Sequence, residues 1–504
     1  MFLNYCFHKN ILIKFNCTFK IIMQFLNFRI KFYLTLTESI ADIPCPPFFE
    51  HIVFAKAKIT PVPPTYFLLY TRKNPSYPNY LTDKNSFYTS HFNPKLKTIM
   101  IVHGFLENPT SEDVNFLKTA FLHYEDCNVI IVDWKIGALS LTFPKAMRIT
   151  LVEGKFIAEQ LERWKKSINL DFNKFHIIGF SLSGQLVGFI GKYIKTGKIG
   201  RITGLDVIGA CFSSLSPRHK LHYSDAKFVD VISTTSASQL ITGKPTGHLH
   251  FMIDGGLVGR GCKDNVANFD LNTSFIKGIF VGLYSAILRL FFCSHMRGFY
   301  LFASTLYHPE FLPVAYKCKD YETFKKGKCS ECGIDGRNCA AIGIHAEKYA
   351  DKIINGTVTM YAATTFTDGY FLYQYHVEVT FGFTADTTIE VGKLVLIINS
   401  KIIKILDKDL YIQYVKSIFK PGATYTYLIT TTHDLEPITN LKVFWYSVLP
   451  RKDNKLYIQC VKIVPMNNLQ TDRLKLTTFG TTNGEGILPH HIVKLYLGRR
   501  CGPY

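Results

Sequence analysis

Ser181 stands in Phe175-His-Ile-Ile-Gly-Phe-Ser-Leu-Ser-Gly184, where a short strand-like apolar run meets a tight turn and then a helix-like segment carrying Leu186, Val187, Phe189 and Ile190. A serine at such a strand-to-helix turn can be a nucleophile, because the reversal is so sharp that the hydroxyl is lifted clear of the sheet and within reach of a base. The turn requires neighbours without bulk, which Gly179 and Ser183 satisfy. It also aims the N–H of Leu182 at the oxygen that becomes negative when a carbonyl is attacked. A nucleophile of this kind needs a base and a group that orients the base. Asp206, at the end of the strand-like run Arg201-Ile-Thr-Gly-Leu-Asp206, and His295, in Cys293-Ser-His-Met-Arg297, follow in the order serine, acid, histidine. Asp230 is the alternative acid; apolar neighbours inside a strand suit it better to a structural role. Alone, Gly-x-Ser-x-Ser fits ordinary turn chemistry equally well, and it is the remainder of the chain that makes it a candidate acyl-transfer site.

The elements that must position these residues are legible as a pattern. Lys97-Thr-Ile-Met-Ile-Val-His103 and Asn128-Val-Ile-Ile-Val-Asp-Trp134 carry unbroken apolar runs, as strands covered on both faces do. Helical periodicity through Phe116, Leu117, Ala120 and Phe121, and again from Ile149 to Trp164, separates these runs from each other and from the serine turn. Thr65 to Thr71, Asp225 to Ile232 and His248 to Ile253 read as further strands of the same sheet. Alternating strands and helices predict a mostly parallel sheet covered by helices. From about Gly356 the texture changes to period-2 alternation, clearest in Tyr373-Gln-Tyr-His-Val-Glu-Val-Thr-Phe381 and recurring at 393–398, 424–429, 441–445, 455–464 and 491–497. That predicts a separate antiparallel β-sandwich.

At 504 residues the chain is long enough for two or more domains, and 47% hydrophobic residues against 19% charged ones suit folded cores. The expected division is an N-terminal segment 1–44, a first domain 45–350 and a sandwich 355–504. Residues 1–44 are apolar but interrupted by Lys9, Lys14, Lys20, Arg29 and Lys31, which predicts an atypical or extended export signal. The formal charge of +20 favours acidic partners, and no compact nucleic-acid-binding module accompanies it. Among thirteen cysteines, the close pairs Cys318 with Cys329 and Cys332 with Cys339 predict disulfide stapling and hence an oxidising, extracellular location. A zinc site from those four has no histidine to complete it and unequal spacings. Lys317, Lys319, Lys325, Lys326 and Lys328 crowd the same loops and predict salt-sensitive attachment to sulfated glycans or anionic lipid.

The chain resembles the pancreatic lipase family, which includes lipoprotein lipase, sn-1 phospholipases and insect yolk proteins. The likeness is carried, in family order, by His103-Gly-Phe105, Val132-Asp-Trp134, His176 to Leu182, Arg201 to Asp206, Ser224 to Ile232, Gly247-His-Leu249, Gly255-Gly256 with Gly261-Cys-Lys263, and Cys293 to Arg297. It implies an α/β-hydrolase domain, Ser181 as nucleophile, His295 as general base, Asp206 as its orienting acid, and the N–H groups of Phe105 and Leu182 as the oxyanion hole. It implies that Cys262 and Cys293 close a lid loop whose inner part, 275–292, is almost wholly apolar. It further implies a PLAT-like C-terminal domain, acylglycerol esters as substrates, and action at a lipid droplet, lipoprotein or membrane surface. The family's calcium site looks degraded, since Lys220 and His222 stand where an arginine and a carboxylate would and only Asp225 is retained. No cofactor and no metal are therefore expected.

Overall fold

The computed structural model describes residues 62–139, 143–209, 212–235, 244–256, 293–365, 370–384, 387–400, 417–447, 454–498 and 500–501. The N-terminal segment 1–44, Cys262 and the apolar stretch 275–292 lie outside these residues.

The first part of the chain builds one large sheet from β1 (Tyr66–Tyr70), β2 (Asn79–Tyr80), β3 (Thr98–Val102), β4 (Asn128–Asp133), β5 (Phe175–Phe180), β6 (Ile199–Leu205), β7 (Ala226–Ser233), β8 (Leu249–Ile253), β9 (Val314–Lys317), β10 (Cys339–Ala341) and β11 (Val358–Ala362). Their spatial order is β10-β9-β11-β8-β7-β6-β5-β3-β4-β1-β2. From β4 across to β11 every neighbouring pair is parallel, and the antiparallel pairs are confined to the two margins. The apolar run of β3 is buried at every residue because alternate side chains leave on opposite faces and both faces are covered. Met100 and Val102 join the core beneath α2 (Phe143–Ile168) and α3 (Ser183–Tyr193). Ile99 and Ile101 join the core on the other face, with α1 (Glu112–Tyr124) and α4 (residues 293–307).

The C-terminal part forms two antiparallel sheets. One contains β12 (Tyr373–Phe381), β15 (Thr424–Thr431) and β17 (Leu456–Pro465), and the other is built on β13 (Glu390–Ser400) and β16 (Ile438–Ser447). Their inner faces share a core of Tyr375, Val377 and Val379 with Leu394, Leu396, Leu441, Val443 and Trp445, so the period-2 pattern reports which side chains point inward. The indole of Trp445 donates to the Ile487 carbonyl at 2.9 Å, which satisfies the one polar atom that this buried ring carries.

One boundary needs correction. The first domain does not stop at 350, because β11 pairs in parallel with β8, Val358 opposite Leu249 through Ala362 opposite Ile253, inside the large sheet. Its sequence alternates because Thr359 and Tyr361 face out beside Lys317 and Lys319 while Met360 is buried, so it looks like a sandwich strand without being one. The two parts are bonded across their junction: Tyr316 donates to the Met466 carbonyl at 2.5 Å, and Arg473 donates to the Tyr316 hydroxyl at 2.7 Å. Gly327 is needed there, since it has φ +68° and a Cβ would stand 2.5 Å from the Tyr427 backbone.

Cys318–Cys329 and Cys332–Cys339 are disulfide-bonded, and a third bond, Cys460–Cys501, ties the C-terminus to β17. Cys293 is also in a disulfide, whose partner lies outside the described residues. Cys127 is free and buried, and burial pushes its thiol up to about 12, out of the range of a reactive thiolate.

Candidate active site

β5 and α3 meet at Ser181, whose φ of +56° is the left-handed strain that such a turn imposes on a non-glycine residue. Three backbone bonds hold it there, from the Ser181 N–H to the Leu205 carbonyl at 2.9 Å and from the Ile208 and Gly184 N–H groups to the Ser181 carbonyl, each at 3.1 Å. Gly179 is required by close approach, since a Cβ would lie 2.3 Å from the Ser183 carbonyl oxygen. Ser183 is accommodated because its hydroxyl is fully buried and satisfied, lying 2.8 Å from each of the Val102 and Phe180 carbonyls.

Asp206 follows β6 directly, with φ +43° and no exposure. Its carboxylate is filled with donors. One oxygen accepts from the N–H groups of Thr234 (2.6 Å) and Thr235 (3.1 Å), and the other from the Thr235 hydroxyl and from His295 Nδ1 (2.6 Å). An ionised carboxylate only accepts, so the proton sits on Nδ1 and the lone pair of Nε2 is left to act as a base. The His295 ring lies against Phe180, centroids 4.4 Å apart, which places it beside the residue preceding Ser181.

The histidine is carried on α4, and the helix around it is anchored at two points. Thr234 donates to the Ser294 carbonyl at 2.8 Å. The buried guanidinium of Arg297 donates to Thr364 Oγ1 at 2.5 Å and lies 3.4 Å from Asp254, whose carboxylate also receives the Thr364 N–H at 3.0 Å. Arg297 belonged to a recognised motif, but Thr234, Thr235, Asp254 and Thr364 carried no sequence signal of their own, since each acts through a contact made only when distant segments meet.

Asp230 has a different partner. It forms a buried, two-point ion pair with Arg201, Nε to Oδ1 and Nη2 to Oδ2 both at 2.9 Å, and accepts from Thr203 at 2.8 Å. Arg201 also donates to the carbonyls of Gly343 and Ile344, so this pair locks the sheet to the segment after β10.

The loop after β3 supplies Phe105. It is braced by Trp134, whose indole donates to the His103 carbonyl at 2.8 Å and whose ring stacks on that of His103 at 5.7 Å. Glu107 closes the loop by accepting the Gly104 N–H at 2.5 Å. Among the described residues, neither the Phe105 nor the Leu182 N–H has a protein acceptor, which leaves both able to donate to a ligand oxygen. Burial raises the Glu107 carboxyl from 4.5 to about 7, with Asp113 adding to the rise and the Gly104 bond opposing it. The sign follows from proton linkage. The folded state holds this proton more tightly than the unfolded state, so the stabilisation is complete below about pH 4.5 and is lost as pH rises through about 7. Because the side chain keeps a solvent-facing edge, the expected loss is on the order of 1–2 kcal/mol. Denaturant unfolding of Glu107→Gln should show a correspondingly shallower fall across that window, and an unchanged pH slope would mean that Glu107 does not titrate there.

A parallel sheet with a strained serine turn at the end of a central strand, a histidine and an acid on the following segments, and two N–H groups beside them is the arrangement of an α/β-hydrolase. The family model described as Lipase matches residues 47–370. The chain belongs to the pancreatic lipase family and is of ester-hydrolase type. It is 30% identical over 391 residues to the human protein named inactive pancreatic lipase-related protein 1, an alignment spanning 76% of this chain and 79% of that relative. It is 30% identical to bovine pancreatic lipase-related protein 2 (75% and 78% covered) and 30% identical to lipase member H of rabbit, Oryctolagus cuniculus (69% and 74% covered).

Proposed function

We propose that this protein is a secreted, serine-dependent lipase that hydrolyses acylglycerol esters at a lipid surface. The observation that carries the reading is the chain of contacts from the filled carboxylate of Asp206, through His295 Nδ1, to an imidazole packed against the strained Ser181 turn. In the proposed reaction, Ser181 Oγ attacks the ester carbonyl while His295 Nε2 takes its proton, and Asp206 stabilises the imidazolium without itself being protonated. The N–H groups of Phe105 and Leu182 receive the oxyanion. The imidazolium then protonates the departing alcohol, and a water molecule, deprotonated by the same histidine, releases the fatty acid from the acyl-serine.

Secretion is supported by the three described disulfides, which persist in oxidising compartments. Action at a lipid surface is supported by the C-terminal sandwich, read as PLAT-like, where Phe383 and Ile418 are exposed near the turn at Lys420–Ala423. Incubating purified protein in parallel with a triacylglycerol emulsion and with phospholipid vesicles tests the reading. Fatty acid release from the emulsion is the expected result. Release from vesicles alone would make it an sn-1 phospholipase with the same machinery, and release from neither would place it with the relative named inactive, as a lipid-binding protein.

A further inference from the structure

Asp225 is the one carboxylate left at the position where the family likeness places a calcium ion, and the structure shows what engages it. It lies in the turn Tyr223–Asp225 just before β7 and is 3% exposed. Lys192, in the last turn of α3, places its ammonium 2.5 Å from both carboxylate oxygens. The His222 N–H adds a bond to Oδ2 at 2.9 Å. The close approach of α3 to the turn depends on small residues: a Cβ at Gly191 would stand 2.2 Å from the Asp225 carbonyl oxygen, and one at Gly188 would stand 3.1 Å from Oδ2.

The residues present do not fit calcium. A hard divalent ion takes six to eight oxygen ligands and favours several carboxylates. Here both oxygens of the single carboxylate already face an ammonium, and Lys220, which stands where the likeness expects an arginine, donates to the Ser213 carbonyl at 3.1 Å. Among the described residues no group of three or more His, Cys, Asp or Glu side chains is placed to hold a metal. An incoming divalent ion would have to displace Lys192 from both oxygens of that carboxylate.

We propose that Lys192 is a built-in replacement for the calcium ion, an internal cation that ties the turn before β7 to α3, the helix that follows Ser181, so that the fold requires no divalent metal. Because the salt bridge is intramolecular and largely buried, it forms whenever the chain folds, and neither chelators nor the calcium level of the surroundings act on it. Removing only the lysine leaves a buried carboxylate without a counter-charge, which is far more harmful than removing both partners.

The test is thermal unfolding of the full chain, a readout that does not depend on catalysis. The wild-type Tm should agree to within about 1 °C in excess EDTA and in millimolar calcium. Lys192→Met should lower Tm by at least about 5 °C, and adding Asp225→Asn to it should recover a substantial part of that loss. A wild-type Tm that climbs with added calcium would overturn the proposal, as would a Lys192→Met protein that unfolds at the wild-type temperature. If Lys192→Met cannot be purified folded, the calcium series on the wild type still decides the matter.

Discussion

Ser181→Ala should lower turnover of a soluble short-chain ester by about 10⁴-fold or more while leaving the unfolding temperature unchanged. The chemical effect is large because the other hydroxyl of the turn, that of Ser183, is fully buried and bonded to the Val102 and Phe180 carbonyls, whereas the structural effect is small because the bonds that hold position 181 come from its backbone. The N–H to Leu205 and the carbonyl to Ile208 remain in the alanine variant. The left-handed φ is shared by both residues, so its strain does not distinguish them. Wild-type turnover in a folded Ser181→Ala protein would remove Ser181 from the role of nucleophile.

The second large effect separates two acids on neighbouring strands. Asp206→Asn should lower kcat by roughly 10⁴-fold. The carboxylate of Asp206 accepts from four donors at once. An asparagine has only one accepting oxygen, so its NH₂ group must oppose either the Thr234 and Thr235 N–H groups or His295 Nδ1. In the first case the turn at Thr234 is broken. In the second the imidazole is driven into the wrong tautomer and Nε2 is no longer a base. Asp230→Asn should act through stability instead: it leaves the buried Arg201 guanidinium with half its partner, at a cost of about 3–5 kcal/mol, with kcat of the folded fraction close to wild type. Measuring kcat and unfolding free energy for both variants gives the ranking, and a larger kcat loss in Asp230→Asn would transfer the acid's role to β7.

Much of this site was legible because it depends on local constraint. The glycine before Ser181, the small residue after it, and the change from an apolar run to helical spacing all belong to one short segment whose backbone conformation they dictate. The contacts of the two candidate acids were not legible. Asp206 and Asp230 both sit at apolar strands of the same sheet, and β6 and β7 are adjacent, with Thr203 opposite Asp230 in their register. Which carboxylate meets His295 depends on where each strand ends and on what faces it, and Arg201, one strand over, captures Asp230 before any histidine can.

By itself the sequence determined the two architectures and the chemical types at the site. Unbroken apolar runs permit only strands covered on both faces, strict alternation permits only strands with one wet face, and a serine between small residues at a strand-to-helix junction permits a nucleophile. Tertiary structure decided everything that depends on a partner far away in the chain. It placed β11 in the large sheet although its alternating side chains resemble those of the sandwich, because strand membership is settled by edge-to-edge hydrogen bonding and not by periodicity. It anchored the histidine-bearing helix through Arg297, Asp254 and Thr364, three polar groups with no local relation to one another. It also brought Lys192 to Asp225, a charge pairing that no spacing rule could foresee, since the helix and the turn meet only when β5, β6 and β7 have assembled between them.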